Sequence, residues 1–357
     1  MGYLELTDEE EAVLAKAKEL RGEDGKIIVI INANNVMELG ELQDDPMVDA
    51  ILYVGGPGKA GFYAIGDVLS GAVCPSGRLA DTYPADLLAS PVMENFGSDV
   101  YYDADGTFDN QYDTQIAYTG TDGSAKERPI MFVGYEEGIY VGYRFYETAA
   151  ADGYFAADET QADPYYNRTN GVVYPFGYGL SYTSFTQKIT AADYKDGQFT
   201  FTVEVTNTGD VAGKDVVELY VETPYYAGGI EKAKVVLCGF DKTQTLDPGA
   251  SETVTITVDQ EDIASYDDQV NKCYVLDAGD YTFYLGTVGG TVYGSHSWAY
   301  ATPADSKALT GADNAVTFAK ADGVSDTINC TAGPGKVVKA AQSGRNISSG
   351  MKEPERK

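Results

Sequence analysis

Hydrophobic positions in the first part of the chain alternate between helical and strand patterns. Thr7 and Glu10 form a capping-box pair, and apolar positions at helical spacing follow up to about Leu20. Residues 26–31 and 49–54 are apolar runs typical of parallel strands covered on both faces, and residues 60–69 predict another helix. This order predicts an α/β region with a parallel sheet and flanking helices.

Beyond residue 185 the hydrophobic period changes to two. Phe199, Phe201, Val203 and Val205 alternate with polar side chains, which predicts a strand with one buried and one solvated face. Similar runs occur at 215–221, 234–240, 253–258 and 280–285, with weaker ones at 187–191 and 273–276. Together these runs approach the roughly seven strands of an immunoglobulin-like sandwich.

The two patterns meet at residues 171–185, GVVYPFGYGLSYTSF, which are rich in aromatic residues and glycines. Such a composition predicts buried rings on a backbone that turns sharply. We therefore predict an α/β region over residues 1–150, with a long loop at 85–130, and a connector over 151–185. An all-β sandwich over 186–288 and a loosely ordered or truncated tail over 289–357 complete the prediction.

Several strings resemble family 3 glycoside hydrolases, the β-glucosidase and β-xylosidase family. YPFGYGLSYTSF is similar to the link between the second and third domains of that family. YEEGIYVGYRFYE at 135–147 and the segment at 56–84 resemble, in the family's order, the parts that precede this link. GKDVVELYV and LDAGDYTFYLG resemble its fibronectin type III-like domain. The resemblance covers most of residues 1–290 and implies the end of the family's α/β sandwich domain followed by that β domain.

The resemblance also implies β-glucosidase-like, retaining hydrolysis of O-glycosidic bonds in carbohydrate metabolism. In that family a β/α barrel carries the aspartate nucleophile and a Lys-His pair that binds the sugar. The acid/base glutamate, where the second domain supplies it, lies upstream of the helix that begins near Thr7. The single histidine, His296, lies outside any such motif, and a barrel of about 250 residues does not fit here. We therefore assign no catalytic residue to this chain, leave substrate-binding residues unknown, and treat its own enzymatic activity as uncertain.

Charge narrows the range of partners. The chain has 25 Lys and Arg residues against 55 Asp and Glu residues, a net charge of −30, which disfavours nucleic acid and anionic membranes. We expect a β-linked glycoside or oligosaccharide as partner once a barrel is supplied, including a barrel on another chain. Met1 is not followed by a signal-peptide core, and no apolar run reaches the length of a membrane span. This favours a cytoplasmic location.

Neither a metal site nor a cofactor site is predicted. The four cysteines, Cys74, Cys238, Cys273 and Cys330, are widely spaced and include no CxxC pair. Cys238 and Cys273 fall in neighbouring strand-like segments, where a buried free thiol is preferred over a disulfide. The acidic stretch containing Asp103, Asp105, Asp109 and Asp113 lacks the glycine and terminal glutamate of a calcium loop.

A formal GxGxxG occurs at Gly56, Gly58 and Gly61, with Asp81 about twenty positions later, as in a dinucleotide fingerprint. Only a few dozen α/β residues precede it, and residues 75–84 do not continue as a long strand. A glycine turn that lets a helix pack closely on a strand is therefore preferred.

Glu136 and Glu137 form a conspicuous carboxylate pair. Neighbouring residues of a strand point to opposite faces, so this pair by itself does not frame a glycosidic bond. We predict that Arg144 forms an ion pair with one of them.

Two hypotheses remain. The chain is the C-terminal part of a family 3 β-glycosidase, inactive alone and structural or complementing, or it is a stand-alone carbohydrate-binding or protein-interaction module. A complementing part is expected to expose a contiguous apolar patch where the barrel docks, whereas an independent module is not.

Overall fold

The computed structural model describes residues 4–87, 90–92, 100–102, 108–110, 115–129, 137–151, 171–267, 269, 273–277, 280–286, 315–319 and 326–328. Among them we distinguish an α/β region before residue 152, a connector segment (residues 171–184) and a sandwich region from residue 185 onward. No helix among these residues is long and apolar enough to cross a membrane.

The α/β region contains the parallel strand pair that the sequence predicts. Its helices are α1 (Asp8–Leu20), α2 (Gly40–Asp44), α3 (Gly58–Leu69) and α4 (Tyr143–Ala151), and its first strands are β1 (Ile28–Ile31), β2 (Ala50–Tyr53) and β3 (Tyr83–Pro84). β1 and β2 run parallel. The predicted capping box begins α1, since the backbone N–H of Glu10 donates to Thr7 Oγ1 and that of Thr7 donates to the Glu10 carboxylate.

Within the described residues, the β1–β2 pair is covered on one face only. Ile31 packs with Leu39, Leu42 and Tyr83 in a small buried core. On the opposite face, Ile28 and Ile30 are 44% and 41% exposed. The prediction that this strand is covered on both faces is therefore wrong within the described residues, because none of their elements buries the face that these two side chains share.

Two antiparallel pairs occur within the stretch predicted as a loop at 85–130. β4 (Val100–Tyr102) pairs with β5 (Phe108–Asn110), and β6 (Gln115–Thr119) pairs with β7 (Ala125–Pro129). The Asp122 side chain accepts hydrogen bonds from the backbone N–H and hydroxyl of Ser124, which stabilises the turn between β6 and β7. Asp109 lies in β5, while Asp103, Asp105 and Asp113 lie outside the described residues.

The sandwich region follows β8 (Val172–Tyr174), which pairs with β3. Its later strands are β9 (Phe185–Lys195), β10 (Gln198–Asn207), β11 (Val216–Glu222), β12 (Val236–Lys242), β13 (Ser251–Asp259), β14 (Ser265–Asp267), β15 (Cys273–Leu276), β16 (Asp280–Gly286), β17 (Ala315–Ala319) and β18 (Asp326–Ile328). One sheet has the order β13-β10-β9 and another has the order β12-β11-β16-β17, while β14, β15 and β18 form a small third sheet.

The buried faces of the two larger sheets form the main core of the sandwich. Phe201, Val203 and Val205 are fully buried, as their alternation with polar residues predicts. They pack with Leu219 and Phe283 from the second sheet. The α/β and β-sandwich classes predicted from the sequence are thus confirmed. Within the predicted tail, β17 pairs with β16 and β18 pairs with β15.

Candidate functional site

The connector segment binds the α/β region through its backbone. Tyr174 of β8 lies opposite Tyr83 of β3. Beyond these strands, the backbone N–H of Leu79 donates to the Tyr178 carbonyl at 2.7 Å, and that of Gly177 donates to the Leu79 carbonyl at 2.8 Å. This ladder holds the connector against residues 79–84 and places the start of the sandwich region beside the α/β region. We call the boundary between the α/β region on one side and the connector and sandwich region on the other the seam.

Arg78 crosses the seam through a largely buried ion pair. Its Nη2 lies 2.6 Å from Oδ1 of Asp215, and its Nη1 donates to the carbonyl of Gly179. The second oxygen of Asp215 accepts a hydrogen bond from Gln187 Nε2 at 2.8 Å. The Asp215 side chain is only 4% exposed, so this carboxylate depends on its protein partners in place of water. Arg78 thereby ties together the α/β region, the connector and the sandwich.

Glu218 on β11 lies near this ion pair and is itself buried. Burial raises the pKa of Glu218, although the hydrogen bond from the Tyr220 hydroxyl, at 2.8 Å, and the charge of Arg78 act in the opposite direction. A Cβ at Gly177 would lie 2.3 Å from Oε2 of Glu218, and the Gly177 φ is +81°. Glycine is therefore the residue that lets the connector approach this carboxylate.

Replacing Glu218 with glutamine is expected to alter the pH dependence of stability. Since the folded pKa is raised, protonated Glu218 contributes stability that is fully present below the unfolded pKa and is lost as the pH rises through the folded pKa. Glutamine does not titrate, so the variant is expected to gain stability relative to the wild type between about pH 4 and about pH 7.

Urea unfolding of both proteins at the two pH values measures this difference. Glu204→Gln, at an exposed carboxylate on β10, is the matched control. If the free energies of unfolding of Glu218→Gln and the wild type differed by the same amount at both pH values, the raised pKa of Glu218 would be contradicted.

A second set of contacts across the seam comes from α4 and the turn before it. The Tyr143 hydroxyl accepts from the backbone N–H of Leu237 at 2.8 Å, and Thr148 Oγ1 accepts from that of Lys234 at 2.8 Å. The Tyr140 hydroxyl donates to Glu231 at 2.6 Å. A buried cluster joins the two sides, since it contains residues of α4 together with Tyr220, Val235 and partly buried Leu237 of the sandwich region. The two regions therefore share one packed interface.

The glycines of the formal GxGxxG lie at the turn from β2 into α3. A Cβ at Gly56 would lie 2.8 Å from Asn34 Oδ1, and one at Gly61 would lie 2.8 Å from Pro57 Cβ. Gly58 has a φ of +61°. The close approaches at Gly56 and Gly61 and the positive φ of Gly58 explain why glycine occupies these positions of the strand-to-helix turn.

Of the predicted carboxylate pair, Glu137 is buried, and Glu136 lies outside the described residues. The Arg144 guanidinium lies 6.0 Å from the centroid of the Tyr143 ring. An ion pair between Arg144 and either glutamate stays a prediction.

Cys238 is a free thiol, as expected, and donates to the Leu219 carbonyl at 3.3 Å. Burial raises the pKa of this thiol, which keeps it protonated. The side chain of Cys273 lies outside the described part of the chain. Within the described residues no group of three or more His, Cys, Asp or Glu side chains is placed to hold a metal ion.

No sequence pattern indicated the seam residues Arg78, Gln187 and Asp215. Arg78 and Asp215 are 137 positions apart, and Gln187 and Asp215 are 28 apart. The available signal was a lone arginine in the segment at 56–84, which resembles the family, and a lone aspartate at the start of a strand. Neither residue lies in a sequence pattern that predicts contact with the other.

Comparison with known proteins agrees with this architecture. Residues 2–143 match the glycosyl hydrolase family 3 C-terminal domain, and residues 215–288 match a fibronectin type III-like domain. A β-glucosidase from Ruminococcus albus is 35% identical over 79% of this chain and 24% of its own length. β-Glucosidase A from Butyrivibrio fibrisolvens is 33% identical over 80% of this chain and 30% of its own length.

Among solved structures, β-glucosidase 3B from Thermotoga neapolitana in complex with α-D-glucose matches with a TM-score of 0.65 and 27% identity. The match covers 92% of this chain and 36% of that one. The chain thus spans about a quarter to a third of the length of these relatives. The two domain matches, in this order and on this fold, place the chain in glycoside hydrolase family 3, as a C-terminal portion made of the α/β domain and the fibronectin type III-like domain.

Proposed function

We propose that this chain is the C-terminal part of a β-glucosidase, inactive by itself, and that it completes the enzyme when the rest of the β-glucosidase binds it. The observation that carries the proposal is the open face of the β1–β2 pair. Ile28 and Ile30 lie on that face and are more than two-fifths exposed. Parallel strands normally have both faces covered, so this face fits a partner surface that buries it.

The two larger sheets of the sandwich region, unlike the β1–β2 pair, bury their apolar faces against each other. Phe201 and Phe283 are fully buried in the core between them. The two larger sheets of the sandwich therefore cover each other, whereas the described residues leave the β1–β2 face open. This chain spans 24% to 36% of the relatives named above, so the remaining part of such a protein is large enough to cover the β1–β2 face.

In this proposal the catalytic carboxylates belong to the rest of the enzyme. Retaining hydrolysis needs two carboxyl groups about 5 Å apart on either side of the glycosidic bond. This chain contributes a rigid wall, because the ion pair of Arg78 and Asp215 and the packed interface around α4 hold its two regions in one arrangement. A fixed wall limits the orientations open to the glycoside, which lowers the entropic cost of reaching the transition state.

The test is hydrolysis of a panel of aryl β-glucosides. The purified chain is assayed alone and after mixing with the portion of the Ruminococcus albus β-glucosidase that it does not match, and that portion is also assayed alone. We expect turnover only in the mixture. Turnover by the chain alone would contradict the proposed inactivity and would return Glu136 and Glu137 to consideration. A silent mixture would contradict the complementing role.

Ile30→Asp tests the open face directly. Burying a carboxylate without a partner is costly, so the mixture with this variant is expected to lose at least tenfold in activity. Phe240→Asp is the control, because Phe240 is a strongly exposed apolar residue on β12 of the sandwich region. Equal losses from the two variants would contradict a specific role for the β1–β2 face.

The alternative is a stand-alone carbohydrate-binding module. Phe62 and Tyr63 on α3 are exposed aromatic side chains of the kind on which sugar rings stack. Binding of the unmixed chain to a β-glucan, abolished by Tyr63→Ala, together with a silent mixture would favour this function.

A further inference from the structure

Five partly exposed apolar side chains lie around the outer rim of the seam. Each is between 42% and 49% exposed. They come from three separate segments: the end of α3 with its following turn, the connector, and the turn after β10 of the sandwich region. We call this set the seam patch (Leu69, Val73, Leu180, Tyr182 and Val211).

Two hydrogen bonds bring the first two segments together. The Tyr182 hydroxyl donates to the Val68 carbonyl at 2.8 Å. Cys74 Sγ and Ser181 Oγ lie 3.1 Å apart. Since Leu69 and Val73 are sequence neighbours of Val68 and Cys74, they lie beside the connector residues Leu180 and Tyr182.

Asn207 of the sandwich region links the connector to the turn that carries Val211. Its side-chain amide donates to the Val211 carbonyl at 2.8 Å, and its Oδ1 accepts from the Thr183 hydroxyl at 2.6 Å. A Cβ at Gly213 would lie 3.2 Å from Cys74 Sγ and 2.9 Å from Thr183 Cγ2. The turn that carries Val211 therefore abuts both other segments of the patch.

An apolar patch that crosses a boundary between two packed regions continues the buried interface out to the surface. Exposed apolar groups gathered in this way mark an interaction site, whereas single ones do not. We propose that the seam patch is a docking surface for the rest of the β-glucosidase, which contacts the α/β region and the sandwich there at the same time. This inference rests on the proposed function and names a second surface for the same partner.

Charge argues against other occupants. Two copies of a chain with a net charge of −30 repel each other, and so do this chain and a nucleic acid or an anionic membrane. The rest of the β-glucosidase is the occupant that fits. This chain spans only 24% to 30% of the curated relatives, so the remainder of such an enzyme has to contact it. The open β1–β2 face involves the α/β region alone. The seam patch is where one partner contacts both regions at the same time.

Direct binding tests the proposal. The dissociation constant between the full chain and the unmatched portion of the Ruminococcus albus β-glucosidase is measured for the wild type, Val73→Asp and Leu180→Asp. A charge at the centre of an apolar interface is expected to weaken binding by at least tenfold. Phe240→Asp, which lies outside the patch on the exposed side of β12, is expected to bind like the wild type.

Hydrogen exchange of the wild-type chain gives a measurement that does not depend on variants folding. Backbone amides of residues 68–74 and 180–183 are expected to exchange more slowly in the complex than in the free chain. Wild-type binding without this protection, or with unchanged affinity in correctly folded Val73→Asp and Leu180→Asp, would overturn the seam patch and leave the complementing function standing. Failure of the wild type to bind at all would overturn both.

Discussion

Phe283→Ala is expected to lower the free energy of unfolding by about 3–5 kcal/mol. Phe283 lies at the centre of β16, is fully buried, and its ring centroid is 4.7 Å from that of Phe201 and 4.9 Å from that of Phe199. Removing the ring costs its transfer free energy and leaves a cavity between two sheets whose strands hold each other in register. Urea unfolding followed by far-ultraviolet circular dichroism measures the loss.

Phe240→Ala provides the control with the same chemical change. Phe240 is 70% exposed on β12, so its loss is expected to change stability by no more than about 0.5 kcal/mol. If Phe283→Ala cost less than about 1 kcal/mol, the ring would not be a central element of the sandwich core.

Arg78→Met is expected to lower the free energy of unfolding by about 3 kcal/mol, because it removes the cation paired with the buried Asp215 carboxylate and leaves that carboxylate with the hydrogen bond from Gln187. The variant also loses the hydrogen bond to the Gly179 carbonyl. Since these contacts cross the seam, we expect the α/β and sandwich regions to unfold less cooperatively. Differential scanning calorimetry is expected to show a broadened or divided transition.

Two further variants identify the cause. Lys16→Met removes an exposed ion pair with Glu19 on α1 and is expected to cost at most about 0.5 kcal/mol. Arg78→Met combined with Asp215→Leu removes both charges and is expected to recover at least half of the lost stability. A double variant no more stable than Arg78→Met would show that lost packing, and not an unpaired charge, accounts for the effect.

Local patterns predicted most secondary structure of the described residues. The Thr7 capping box marks the start of α1, and the period-two alternation at Phe201 predicts β10, because helix ends and strand faces depend on neighbours within a few residues. The free state of Cys238 followed from the same local reasoning. β4 to β7, β17 and β18 were not among the predicted strands, since each has only three to five residues, too few for a pattern to stand out.

The candidate site was far less predictable. The connector was located from its aromatic residues and glycines, but the partners that hold it were not. Arg78 meets Asp215 because folding brings the turn after α3 beside β11, and sequence separation gives no sign of that meeting. Gly177 shows the same limit, since the side chain that a Cβ at this position would meet belongs to Glu218 of β11.

The amino-acid sequence by itself determined the order of an α/β region and a β sandwich, the position of the joint between them, and the resemblance to family 3. These properties are encoded in hydrophobic periodicity and in contiguous strings. Only the tertiary structure decided which apolar side chains remain uncovered at β1 and at the seam patch, and which charges are buried across the seam. Burial depends on every element that packs around a residue, and such elements are brought together by folding and not by nearness in the chain.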